Sequence, residues 1–142
     1  MKVLVDTSVW SLAFRRNVAS NEPVVHELTE LIKEVRVQII GPIRQEILSG
    51  IKETTQFNKL KRSLSAFEDL DLITGDFIKA AEFFALNRKK GIQGSNTDFL
   101  ICAVSDRLKI PIFTVDNDFK RFQQNMNLRI YEQPNRDSTS IK

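Results

Sequence analysis

Four acids stand where metal-assisted chemistry could be done: Asp6, Glu46, Asp98 and Asp116. Asp6 directly follows the apolar run of residues 2–5, and Asp116 directly follows the β-rich run of residues 110–115. Asp98 opens a nearly continuous apolar stretch that runs through Val104. Glu46 falls in the first turns of a helix expected after residues 37–40. Two of the acids thus end strands and two lie near helix starts. In a parallel α/β sheet, functional groups collect outside the carboxyl ends of the strands, so all four can meet at one end. Carboxylates brought together raise one another's pKa values or destabilise the fold, and a divalent cation removes that conflict. Oxygen ligands suit Mg²⁺, Mn²⁺ or Ca²⁺, and the chemistry such a centre serves is hydrolysis at a phosphoryl group. Each acid alone has a plainer use. Asp6 and Asp98 can cap helices, Glu46 can be a solvated helix charge, and Asp116 with Asn117 and Asp118 can form a turn. The combination carries the argument.

Residue usage narrows the alternatives. Cys102 and His26 are each the single residue of their type, which excludes an intramolecular disulfide and any zinc site built from several cysteines. A reducing compartment fits. Cys102, between Ile101 and Ala103, reads as an inert core thiol, and His26 as a structural or exposed side chain with nothing nearby to complete a catalytic pair. With 42% hydrophobic and 27% charged residues in 142, the composition is that of one ordinary globular domain rather than a disordered chain. No apolar run is long enough to span a bilayer or to serve as a secretory signal. The expectation is a soluble, cytoplasmic protein with no membrane partner. A formal charge of +3 permits a nucleic-acid partner without proving one.

The elements that must position the acids alternate. Strand character is read at residues 2–5, 37–40, 70–73, 110–115 and 128–131. Helices are expected after Asp6-Thr7-Ser8, after Asn21-Glu22-Pro23, after Gly41-Pro42, around Phe57 to Phe67, after Gly75-Asp76 and over 97–107. This pattern predicts an α/β fold: a three-layer sandwich with a short, mainly parallel central sheet of four to five strands and helices on both faces. Residues 1–133 form the single domain and 134–142 a frayed polar tail.

The segments VLVDTSVW, PIRQEILSG, NTDFLICAVS and IFTVDNDF stand in this order along the chain. In that order and spacing they resemble the PIN-domain ribonucleases, and most of all the VapC-type toxins of bacterial and archaeal toxin–antitoxin pairs. The resemblance covers nearly the whole chain. It implies an endoribonuclease that depends on Mg²⁺ or Mn²⁺ and uses water as nucleophile. Asp6, Glu46, Asp98 and Asp116 match the family's metal-binding and catalytic acids. Asp118 matches a second acid of the closing motif, and Ser8 and Thr114 match hydroxyls that support the acids. In the mechanism implied, Asp6, Asp98 and Asp116 hold the ion and Glu46 ligates it, orients water or accepts a proton. In-line attack would leave a 5′-phosphate and a 3′-hydroxyl. The resemblance also implies a cognate antitoxin lying along the helices between about Glu22 and Phe67, and a homodimer.

An RNA substrate needs cations beside the acids. Arg15, Arg44 and Lys120 are the candidates because they stand close in sequence to site acids; Arg16 shares the end of the first helix with Arg15. Trp10, Phe14, Phe57, Phe67 and Phe84 are expected in the core or at an interface. Three other readings compete. An aspartyl phosphatase wants a second acid two residues after the first, where this chain has Ser8. A receiver-like signalling domain finds only loose matches. A non-catalytic RNA- or protein-binding module on a degenerate nuclease fold predicts missing acids, yet all four are present.

Overall fold

A computed structural model describes residues 1–15 and 22–136. Arg16, Asn21 and residues 137–142 of the expected tail lie outside the described residues. The elements in chain order are β1 (Val3–Val5), α1 (Thr7–Ala13), α2 (Pro23–Lys33), β2 (Val37–Gln38), α3 (Gly41–Ser49), α4 (Thr54–Leu64), α5 (Thr74–Lys89), α6 (Asn96–Leu108), β3 (Ile112–Phe113) and α7 (Asp118–Phe122).

The sheet is parallel and has the order β2-β1-β3. Val3 pairs with Val37 and Leu4 with Gln38 on one side, while Leu4 and Val5 pair with Ile112 and Phe113 on the other. β1 is therefore the central strand, and Val3, Leu4 and Val5 are all fully buried. A strand covered on both faces reads as continuous apolar sequence, as this one does.

Among the described residues the sheet has three strands, not the four to five expected. Asp69, just before the segment at 70–73, and Ile130, within 128–131, make single parallel bridges, to Ile39 and Ile112. The two segments still close the sheet edges by hydrogen bonds, Leu70 N–H to Ile39 O at 2.8 Å and Tyr131 N–H to Ile112 O at 2.8 Å. Pairing over one or two residues satisfies the edge without propagating a ladder.

α6 is the central helix. Every residue from Phe99 to Ser105 is buried, as its unbroken apolar run requires. α5 packs along it and is pinned by Arg107, which donates to both oxygens of the buried Asp76 at 2.7 and 2.8 Å and to Asp71 O at 3.0 Å. An aromatic chain of Phe84, Phe99, Phe122 and Phe119 joins α5, α6 and α7. Gly94 lets it close, because a Cβ there would sit 2.5 Å from the Phe122 ring. On the other face Trp10 packs against Phe14 and Phe67 and donates to Val5 O at 3.2 Å. The beginning of the expected tail is tied down: Arg136 pairs with Glu27 at 2.6 Å and with Glu34 at 3.0 Å.

Candidate metal centre

β1 and β3 end side by side, and their carboxyl ends carry Asp6 and Asp116. Asp6 leaves the strand with extended dihedrals and caps α1, its Oδ2 accepting from Ser8 N–H at 3.3 Å. The same oxygen accepts from the Ser8 hydroxyl at 2.6 Å and the Thr114 hydroxyl at 2.9 Å. Ser8 Oγ also accepts from Val115 N–H at 3.1 Å, and Thr114 Oγ1 from Asp116 N–H at 3.0 Å. The two hydroxyls clasp the strand ends together and fix Asp6 between them. Its Oδ1 has no protein partner among the described residues. Asp6 is buried, and that burial raises its carboxyl above the usual range despite the hydroxyl donors; the charge of Asp116 adds to the effect.

Asp98 closes a capping box at the start of α6. Its Oδ2 accepts from Ser95 N–H at 3.0 Å, while its own N–H donates to Ser95 Oγ at 3.0 Å. The cap is Ser95, and Asp98 stands three residues inside it. At Asp6 and Asp98 the cap that satisfies the helix also orients the carboxylate. Asp98 is pushed up to about 6, first by burial and then by the negative charges of Asp6 and Asp116.

The carboxylates of Asp98, Asp116 and Asp118 approach within 4.8 Å of one another. Asp116 Oδ1 accepts from Asp118 N–H at 2.9 Å, the bond that turns the chain into α7 and brings Asp118 into the group. The spacing Asp116-Asn117-Asp118 is the signal in the sequence for this third member. Glu46 stands apart from the group, with its Oε1 accepting from the Thr7 hydroxyl at 2.7 Å. Thr7 escaped the sequence reading; its place directly after the strand-ending acid was the available hint. Asp118 pairs with Arg121 at 3.3 Å on an exposed edge. Neither Asp98 nor Asp116 has an ion-pair partner among the described residues. Hard oxygen donors gathered with Arg121 on the outer edge of Asp118 as their one ion-pair partner among the described residues suit a divalent cation such as Mg²⁺ or Mn²⁺.

The expected cations have separate surroundings. Arg44 is held at a structural junction: it donates to Asp69 at 3.0 Å, to Leu64 O at 2.9 Å and to Phe67 O. It fastens α3 to the turn after α4 and is not free to hold a phosphate. Lys120 is exposed on α7 beside Asp118. Arg15 lines a cavity of about 320 Å³ with Phe14, Ile51, Lys59 and Leu60. His26 is exposed, and Cys102 is fully buried with its thiol driven up by burial and by the charges of Asp98 and Asp6.

A family model described as the PIN domain matches residues 3–125. No curated protein matches this chain. Among solved structures, VapBC2 from Rickettsia felis bound to a DNA fragment from their promoter matches with a TM-score of 0.74 and 21% identity, over 94% of this chain and 100% of that one. FitAcB from Neisseria gonorrhoeae matches at 0.72 and 21%, covering 92% and 96%. VapBC-1 from nontypeable Haemophilus influenzae matches at 0.70 and 15%, covering 93% and 98%.

Proposed function

The chain belongs to the PIN-domain family, and from that premise we propose that it is a metal-dependent endoribonuclease, the toxin of a toxin–antitoxin pair. The observation that carries this reading is the grouping of Asp98, Asp116 and Asp118 within 4.8 Å beside the buried Asp6. Asp98, Asp116 and Asp118 would hold Mg²⁺ or Mn²⁺ together with the unbonded oxygen of Asp6. A bound divalent ion supplies Lewis-acid chemistry: it draws charge from a phosphoryl oxygen and makes water acidic enough to attack near neutral pH. Ser8 and Thr114 hold Asp6 in one orientation. Glu46, steadied by Thr7 at 2.7 Å, orients the attacking water or accepts its proton. Attack by water leaves a 5′-phosphate and a 3′-hydroxyl. Lys120 and Arg15 are the cations left to approach RNA phosphates once Arg44 is committed elsewhere.

Solved structures similar to this chain include a toxin–antitoxin complex from Klebsiella pneumoniae and a member of the VapBC family of toxin–antitoxin systems from Mycobacterium tuberculosis, which supports an antitoxin partner here. The cavity at Arg15 and Lys59 has an apolar floor of Ala13, Phe14, Ile51 and Leu60, and would take an antitoxin segment with apolar anchors and an acidic side chain. Ile73, Phe77 and Ile78 leave an exposed apolar face at the start of α5, which a second copy would cover in a homodimer. No helix among the described residues is long and apolar enough to cross a membrane.

The test is cleavage of total cellular RNA by the purified, antitoxin-free protein with Mg²⁺, Mn²⁺ or chelator, beside an Asp98→Asn variant. We expect discrete cuts that need metal, fall about a hundredfold or more in the variant, and carry 5′-phosphates. Ends bearing a 2′,3′-cyclic phosphate would overturn the water mechanism. A folded protein that cuts no RNA would favour the binding-module reading.

A further inference from the structure

We infer that the cavity between α1, α3 and α6 is a nucleoside-recognition pocket that selects which RNA bond is cut, with Gln45 and Ser49 as its reading residues. The inference rests on the endoribonuclease reading above. The cavity measures about 640 Å³ and is lined by Thr7, Pro42, Gln45, Glu46, Ser49, Gly50 and Thr97. That volume is in the range of small-molecule sites. Two of these residues tie it to the acidic centre: Thr7 follows Asp6 and Thr97 precedes Asp98, while Glu46 accepts from the Thr7 hydroxyl at 2.7 Å. A strand whose phosphate lies over the acids has its neighbouring nucleoside at this opening.

The lining chooses among the parts of a nucleotide. It holds hydroxyls, one amide and one carboxylate, and no cation. A phosphate inside would face Glu46 without compensation, so the pocket favours a neutral, polar group. Pro42, Gln45 and Ser49 lie three and four residues apart on α3 and share one helix face. Pro42 offers a flat apolar surface, Gln45 a donor and an acceptor, and Ser49 a hydroxyl that can do either. The side chains of Gln45, Ser49 and Thr97 make no hydrogen bond among the described residues, whereas Thr7 is engaged with Glu46. Single-stranded RNA is read in this way: an unstacked base lies against a flat side chain and is hydrogen-bonded along its edge, while phosphates only position the strand.

Two arms test the pocket. First, cut sites of the wild type, Gln45→Ala and Ser49→Ala are mapped on the same total RNA, and kcat and KM are measured on the strongest site. The pocket predicts that each substitution redistributes the cuts. On the preferred site KM should rise by about tenfold, one hydrogen bond's worth, with kcat little changed. Both positions are exposed, so the fold should persist; circular dichroism checks it. An unchanged cut pattern and an unchanged KM would overturn the pocket while leaving the nuclease intact. Second, binding of a fluorescein-labelled random-sequence 12-nucleotide RNA is followed by anisotropy on an Asp98→Asn background, with and without Gln45→Ala. Weaker binding with Gln45→Ala supports the pocket even if the wild type cuts nothing, an outcome that would sink the nuclease reading alone. Equal binding in both proteins, with no cleavage by the wild type, would sink the pocket as well.

Discussion

Glu27 and Asp98 are carboxylates withdrawn from water at different places in the molecule, and the chain answers them in opposite ways. Glu27, 2% exposed on α2, accepts from the Tyr131 hydroxyl at 2.5 Å and from Arg136 at 2.6 and 3.1 Å. Arg136 also grips Glu34, which Arg36 holds at 2.9 Å, and the Arg36 guanidinium lies 5.8 Å from the centre of the Tyr131 ring. The hydrogen bonds from Arg136 and Arg36 keep the Glu34 carboxyl below its usual range. At the other site burial and neighbouring acids lift Asp98 to about 6 and raise Asp6 as well. Where the chain supplies its own cations, a buried acid joins segments. At Asp98 and Asp116 it supplies none among the described residues, and the unbalanced charge fits the divalent ion proposed above.

The comparison can be broken first at the paired cluster. Glu27→Gln removes a buried charge and weakens its two hydrogen bonds from Arg136, and should cost about 2–3 kcal/mol of stability in urea unfolding. RNA cleavage by the folded fraction should be unchanged. A loss of activity beyond the loss of folded protein would mean that the two clusters are coupled.

At the open cluster the hydroxyls are the sharper probe. Ser8→Ala or Thr114→Val removes a donor to Asp6 without removing a carboxylate. Such changes should weaken Mg²⁺ or Mn²⁺ binding by about 10–100-fold, read by calorimetry, and should cost about 1–2 kcal/mol in unfolding of the chelated protein, because each hydroxyl also accepts a backbone N–H. Equal metal affinity in the variants would mean that Asp6 does not face the ion.

The two clusters also predict opposite responses to acid. In chelated protein at pH 7.5, Asp98 is ionised in both folded and unfolded states, and only the folded state bears the burial penalty. As pH falls through about 6 the folded state takes up the proton first, so stability should rise by about 1–2 kcal/mol toward pH 5 after allowing for solvent screening. Asp76, lowered by its hydrogen bonds from Arg107, acts in the other sense. Its contribution is present above the usual carboxylate value and is lost below it, so the curve turns down again under about pH 4. Thermal unfolding from pH 8 to 3 checks both limbs. In Asp98→Asn the rise should shrink to the part that Asp6 supplies, and saturating Mg²⁺ should remove it in the wild type.

The smallest expected effect lies at the end of α2, beside the paired cluster. Val35 ends the helix at φ 55, a left-handed position where a β-branched residue is strained, with its neighbour Arg36 N–H bonded back to Leu31 O at 3.0 Å. Val35→Gly relieves the Cβ clash and should stabilise by about 0.5–1 kcal/mol. An unchanged or lower melting temperature would mean that Val35 repays its strain through contacts of its side chain.

Much of the acidic end was legible from local rules. Asp6 and Asp116 follow short β-rich runs, and Asp98 opens the buried helix; each of these is a statement about a few consecutive residues. The parallel α/β character followed from the same alternation. What escaped the sequence depends on distance through space. Arg44 stands two residues from Glu46, yet its guanidinium faces Asp69, 25 residues on. Asp118 enters the acidic group while Glu46 stays with Thr7, a division set by how α7 and α3 approach the strand ends. The two outer strands shrink to single bridges because pairing needs a partner backbone at the right height as well as β-forming side chains. The sequence by itself thus determined which residues end strands and start helices, since dihedral preference and hydrophobic period act locally. Only the tertiary structure decided which charges meet, because electrostatic and hydrogen-bond energies depend on separations that the packing of distant segments sets.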